Sequence, residues 1–286
     1  MASKLITNQP SFKRQLSPTA KRSSTPLSLL AAQIYSEFMQ NFRVPEFLIG
    51  VAVIPTILFM MFGLPNAGES LPGGTTIGSL MMASFAAYGI VSLCIFTFGV
   101  DIAQERGRGW LRLMRASPLP AWVYFAGKLV MAILFALVIM ALLFLVAVLF
   151  GGVRLAGLEW LQLSLSLLLG GLSFSSMGFA LAYWTKPRAA SAIGNLVFLP
   201  LAFVSGFFFP LNQLPDFLQR LAPYLPTYHY GQLVWASAGK ADDVALYVGQ
   251  PIGASWVSMA WLLGSFLVFG VLAWWGYKRD QVEQFG

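Results

Sequence analysis

Residues 121–150 read AWVYFAGKLVMAILFALVIMALLFLVAVLF, thirty residues that contain a single charge, Lys128, close to the start. An α-helix rises about 1.5 Å per residue, so roughly 20 apolar residues cross the ~30 Å hydrocarbon core of a bilayer. This run exceeds that length and offers water no polar face, so it reads as a membrane-spanning helix. Five further stretches qualify in the same way, at about 45–63, 77–100, 158–184, 189–209 and 255–277. The composition agrees, with 57% hydrophobic and 10% charged residues, where a soluble domain carries roughly 25% charged. So few charges cannot cover a water-exposed surface. The expectation is an all-α membrane protein with six transmembrane helices, forming one domain over residues 45–286.

Basic residues orient the spans, because cytoplasmic connections retain Lys and Arg. Residues 1–44 hold six of them, 101–128 hold five, 185–189 hold two and the tail after the sixth span holds two. The alternate connections hold only Arg154, Arg220 and Lys240. Fifteen against three places both termini in the cytoplasm, in a multi-pass protein of a bacterial-type inner or plasma membrane. The formal charge of +7 is thereby absorbed by topology, and nucleic acid is not expected as a partner. Cys94 is the only cysteine, which excludes an internal disulfide or a cysteine-based metal cluster.

Ahead of the spans, residues 1–26 are rich in Ser, Pro, Thr, Lys and Arg and lack the apolar stretch of a cleaved signal peptide. They read as a disordered basic cytoplasmic arm. Thr25 and Pro26 then form a helix start, followed by Leu27, Leu30, Ala31, Ile34, Tyr35, Phe38 and Phe42 at helical spacing, with Ser28, Gln33, Glu37 and Gln40 on other faces. The spacing predicts an interfacial amphipathic helix over 27–44 in the cytoplasmic headgroup layer, either anchoring the first span or sharing in coupling. Pro55 in the first span and Pro200 in the fifth should kink or unwind their helices.

Residues 101–120, DIAQERGRGWLRLMRASPLP, form a short, charged cytoplasmic connection that nonetheless holds Trp110, Leu111, Leu113 and Met114. Such a face suits docking onto another protein, and Pro118 and Pro120 end any helix there. Glu105-Arg106, Gly109, Leu111, Met114, Ser117-Pro118-Leu119 and Gly127-Lys128 resemble the cytoplasmic motif of type-2 ABC transporter permeases. Trp110 stands where that motif has Thr, and Arg112 where it has Glu. Residues 205–238, SGFFFPLNQLPDFLQRLAPYLPTYHYGQLVWASA, are too apolar for a free loop and too broken by Pro for a span. Short helices folded back into the outer leaflet fit them, and their Gly and Pro spacing is similar to the same family's external re-entrant segment between spans five and six. The likeness covers roughly residues 27–278.

No G-x-x-x-x-G-K-[ST] phosphate loop, G-x-S-x-G elbow or H-E-x-x-H helix occurs, so the chain is not expected to be an enzyme. His229, the only histidine, lies between Tyr228 and Tyr230 and reads as interfacial packing. Asp101, Glu105, Lys128, Lys186 and Arg188 all fall at cytoplasmic span ends, whereas ion-coupled carriers bury ionisable groups near mid-membrane. The resemblance implies a non-catalytic membrane subunit of an ATP-driven exporter. Such a subunit pairs with a second copy of itself or a paralogous permease, and with a separate ABC ATP-binding subunit that holds ATP and Mg. The chain itself would bind no cofactor or metal.

Within that frame, a short coupling helix between spans two and three would dock the ATPase through Glu105, Arg106, Gly109, Leu111, Arg112, Arg115 and Pro118. A substrate cavity between the second and fifth spans of two copies would draw on Phe85, Tyr88, Asn195, Phe198 and Phe203, whose aromatic rings suit an amphipathic or hydrophobic cargo, drug-like or lipid-like. The residues alone leave a second reading open, an ATP-independent channel or scaffold whose basic loop binds lipid or a protein partner.

Overall fold

A computed structural model of the chain describes residues 26–43, 49–109 and 120–283. Its helices, numbered here in chain order, are α1 (Pro26–Phe42), α2 (Ile49–Asn66), α3 (Ile77–Gly107), α4 (Ala121–Leu149), α5 (Gly157–Trp184), α6 (Pro187–Val204), α7 (Asp216–Leu221), α8 (Pro226–Ala238), α9 (Ala241–Val248) and α10 (Ser255–Glu283). Six of them, α2 to α6 and α10, are long and apolar enough to cross a membrane. No named strand occurs among the described residues; Ser70 and Thr76 form one isolated bridge. The expected basic arm over 1–26 lies outside the described residues apart from Pro26.

α3 is the central helix, with 94% of its most apolar window buried. Lipid tails are as apolar as Leu, so apolar burial alone does not drive helices together in a bilayer; close packing of small residues does. α3 supplies such a surface with Gly78, Ala83, Ser84, Ala86, Ala87 and Gly89. A Cβ on Gly89 would lie 3.0 Å from both Ile139 of α4 and Pro55 of α2. On the facing α5, a Cβ on Gly178 would lie 2.5 Å from the Cys94 carbonyl. Larger residues at these points would hold the helices apart.

Helical structure is present on both sides of each proline. Pro55 is buried against α3 in a helix that continues through it, with wide π-helical turns on either side at Ile49–Val53 and Phe59–Gly63. Thr56 donates its hydroxyl to the Ala52 carbonyl at 2.9 Å. α6 runs through Pro200 to Val204, five residues short of the expected end at 209. A further wide turn, Ile95–Asp101, interrupts α3, and α3 extends to Gly107 rather than stopping near residue 100.

The 205–238 segment is largely helical, and its second half is held inside the protein. α8 is almost wholly buried against α3, α5 and α10. The Trp235 indole donates to Ser84 of α3 at 2.8 Å, and the Tyr230 hydroxyl to the Leu167 carbonyl of α5 at 2.9 Å. Non-spanning backbone at this depth is tolerated because protein, not lipid, surrounds it. His229 stacks on Trp261 of α10, and its Nε2 lies 2.9 Å from the Pro223 carbonyl.

α9 was not foreseen from the sequence. Asp243 accepts hydrogen bonds from the Gly73 and Thr75 amides at 2.7 and 2.9 Å, clasping α9 to the connection between α2 and α3. Burial alone would raise the Asp243 carboxyl; the Thr75 and Gly73 hydrogen bonds and the Lys240 charge outweigh it and hold its pKa below the ordinary value. With a depressed folded pKa, the clasp contributes fully above the unfolded carboxyl value of ~4 and is lost as pH falls through the folded one. Thermal unfolding of Asp243→Asn should therefore begin from a lower midpoint at neutral pH and fall less on acidification than wild type. Superimposable acid profiles would show that the clasp contributes nothing.

Candidate functional site

At the end of the bundle where α3 finishes and α4 begins, a cluster of buried charge joins three helices. α1 carries one charged residue, Glu37. The sequence placed it away from the apolar face of that helix, yet Glu37 is buried at 4% exposure while Leu27 and Tyr35 are exposed. In a membrane interface the apolar residues can face lipid, so the polar side turns toward protein. α1 packs on α4, and a Cβ on Gly127 would lie 2.7 Å from the Gln33 side chain. Gly127 thus sets how near the two helices come.

One residue on, Lys128 fills the gap. Its ammonium donates to Glu105 of α3 at 2.9 Å and to Glu37 of α1 at 3.1 Å, with 2% of its side chain exposed. Tyr124 donates its hydroxyl to the second oxygen of Glu105, and Gln33 donates to Glu37 at 3.0 Å. Both carboxylates thereby have more than one partner. Burial pushes the Glu37 carboxyl above its ordinary value, against the opposing pull of Lys128.

Arg106, adjacent to Glu105, points to the opposite side of α3. Its guanidinium donates to the carbonyls of Tyr183 and Thr185 at 3.0 and 2.7 Å and lies 3.7 Å from Asp280 of α10. Those carbonyls are at the C-terminus of α5, where a cation is favoured by the helix dipole. α3 then ends: the Arg108 and Gly109 amides donate back to Gln104 and Arg106, and Gly109 has φ +77°. Only glycine adopts that conformation without strain. A Cβ on Gly107 would meet Pro187 of α6 at 2.6 Å.

Of the residues expected to dock a partner, Glu105, Arg106 and Gly109 are therefore at the buried base of the connection. Leu111, Arg112, Arg115 and Pro118, with the expected coupling helix, lie outside the described residues. The ion-pair partners Glu37, Tyr124 and Lys128 were not among the expected site residues. Their signals were the lone charge of α1 and the Gly127-Lys128 pair.

Four of the five expected cavity residues join one ring cluster, and Asn195 stands apart from it. Phe85, Tyr88 and Phe198 are buried, and Phe208, not anticipated, connects them: its ring lies 5.9 Å from Phe85, 5.1 Å from Tyr88 and 4.3 Å from Phe203, while Tyr88 meets Phe198 at 4.8 Å. Asn195 and Phe203 are on the exposed face of α6, where the Asn195 amide donates to the Ser191 carbonyl at 3.1 Å. Among the described residues no group of three or more His, Cys, Asp or Glu is arranged to hold a metal.

A family model described as ABC-2 family transporter protein matches residues 23–275. The chain is 25% identical over 209 residues to YvfS of Bacillus subtilis (strain 168), named as a transport permease, a match covering 73% of this chain and 85% of that protein. It is 26% identical over 177 residues to YbhR of Escherichia coli (strain K12), named as a multidrug ABC transporter permease, covering 62% of this chain and 43% of that protein.

Removing one partner of a buried ion pair leaves an uncompensated charge and costs about 3–5 kcal/mol. Lys128→Met should destabilise the chain by that order in unfolding measurements, and adding Glu37→Gln and Glu105→Gln should recover part of the loss. If the triple variant were no more stable than Lys128→Met, the cluster would not act as one electrostatic unit.

Proposed function

This chain belongs to the ABC-2 family of transporter proteins, and from that premise we propose that it is the membrane-spanning permease subunit of an ABC exporter. It moves an amphipathic or hydrophobic substrate, drug-like or lipid-like, out of the cytoplasm. ATP and Mg are bound and ATP is hydrolysed by a separate subunit, so this chain's part is mechanical. Both termini face the cytoplasm, in keeping with the distribution of Lys and Arg.

The observation that carries this reading is the position of Lys128 between Glu37 and Glu105. The base of the 101–120 connection is tied through one ammonium to the interfacial helix and the third span. Through Arg106 it is tied also to the end of the fourth span and to the sixth. A partner that shifts this connection displaces several helices together, which is the requirement for switching access between two sides. Leu111, Arg112, Arg115 and Pro118 complete the docking surface.

A second copy, or a paralogous permease, covers the exposed face of α6. An exposed carboxamide in a membrane-spanning helix is costly against lipid, and Asn195 is such a group. With Phe203 on the same face and the ring cluster of Phe85, Tyr88 and Phe198 behind it, the substrate path runs between the second and fifth spans of the two copies.

Replacing Arg112 and Arg115 with Glu should leave ATP hydrolysis by the assembled complex running while transport into inverted vesicles falls by an order of magnitude or more. Transport that still tracks hydrolysis would remove the docking assignment. Phe85→Ala and Asn195→Ala should reduce stimulation of the ATPase by substrate several-fold; wild-type stimulation in both would dismiss the cavity.

A further inference from the structure

On the side of the bundle formed by α4, α5 and α10, a lateral groove of about 550 Å³ opens toward lipid. Phe125 and Leu129 of α4, Phe179 of α5, and Phe266, Gly270 and Trp274 of α10 are among its walls. Ser175 and Ser176 also reach it, but their hydroxyls donate to the Leu172 and Ser173 carbonyls of their own helix at 2.6 and 2.7 Å. The interior is thus largely apolar, with Tyr183 and Tyr277 also among its walls.

Its depth and volume match a lipid tail. Phe266 to Tyr277, the extent of α10 that lines it, is roughly 16 Å of helix, about half the ~30 Å hydrocarbon core. The contributing parts of α4, α5 and α10 all belong to the end of the bundle where α10 reaches its C-terminus, so the groove is one leaflet deep. Taking a methylene as comparable to the ~30 Å³ share of a water molecule, the space holds on the order of 18 carbons.

A cation stands against one wall of the groove. The Lys278 ammonium lies 4.1 Å from the centroid of Trp274, itself a wall of the groove, and on the next residue the Arg279 guanidinium lies 4.7 Å from that of Trp184. Stacking on the rings holds both cations near the C-terminal end of α10. A second groove of about 590 Å³, toward the other end of α10, is lined by Trp256, Trp261, Gly264 and Phe269 among others. Neither lining includes Lys or Arg; what distinguishes the first groove is the Lys278 ammonium stacked on its wall Trp274.

We propose that the groove between α4, α5 and α10 is a binding site for an anionic phospholipid of the cytoplasmic leaflet, one acyl chain lying against Gly270 and the headgroup phosphate facing Lys278 and Arg279. The occupant would sit beside Tyr183, whose carbonyl receives Arg106 and whose ring lies 5.6 Å from that guanidinium. Bound lipid therefore braces the clamp at the base of the 101–120 connection. The site depends on the membrane placement of the spans and on the cytoplasmic orientation proposed above, not on the identity of any transported substrate.

The full chain, purified in detergent and mixed with equal amounts of phosphatidylglycerol and phosphatidylcholine, should retain phosphatidylglycerol about five-fold in excess by native mass spectrometry, given the attraction of a basic side chain for anionic lipid. Lys278→Gln should bring that ratio toward one while lipid is still retained. A Cβ on Gly270 or Gly264 meets nothing within 4 Å, so a side chain can enter either groove without a clash at its first carbon. Gly270→Leu should abolish the excess, whereas Gly264→Leu, in the groove without cations, should leave it intact. Equal retention of the two lipids by wild type, an excess that survives Gly270→Leu, or a ratio unmoved by Lys278→Gln would overturn the site. Labelling of Arg279→Cys from outside the cell would instead overturn the leaflet and the transport orientation without altering the lipid counts, so the two failures are separable.

Discussion

The ammonium of Lys128 between the carboxylates of Glu37 and Glu105 is the contact on which this end of the bundle depends. Two acids and one base in a buried place leave an excess of negative charge, and burial makes that excess costly. Hydrogen bonds from Tyr124 and Gln33 offset it. The arrangement is stable only while α1, α3 and α4 stay together, and so it fastens α1 to two membrane-spanning helices. Gly127 makes this possible by letting α1 approach α4 closely enough for the lysine to reach both acids.

Around that joint the bundle is organised by surface texture more than by hydrophobicity. α3 is central because it is lined with Gly, Ala and Ser, against which α2, α4, α5 and α8 can press. α10, rich in Trp, Leu, Val and Phe, is largely exposed. In water the larger apolar residues would be drawn inward; in lipid they lose nothing by remaining outside, and close contact goes to the small ones. The grooves flanking α10 arise in the same way, since Gly264 and Gly270 leave hollows between bulky neighbours that no other helix fills.

The wide turns in α2 and α3 belong to the same economy of contact. The turn at Ile95–Asp101 immediately precedes Glu105 and Arg106, which face opposite sides of α3 toward Lys128 and the end of α5. Irregular turns of this kind recur at functional positions in helices. The left-handed residue Gly109 then releases the chain from the helix, so the chain leaves α3 from an anchored base.

The number and order of the spans were legible in the sequence, because a stretch of some 20 apolar residues has a single low-energy disposition in a bilayer whatever surrounds it. The acid-base pair Glu105-Arg106 and the Gly127-Lys128 pair were legible too, as a pattern. What each of them touches was not. Glu37 falls away from the apolar face of its helix, and periodicity in one helix says which residues share a side but not whether that side meets water, lipid or protein. Likewise the wide turn in α3, the clasp of Asp243 on Gly73 and Thr75, and the linking of Phe85, Tyr88 and Phe203 through Phe208 bring together residues far apart in the chain or depend on local backbone geometry. Spans are a local consequence of composition; the contacts that make them act together exist only after the helices have packed.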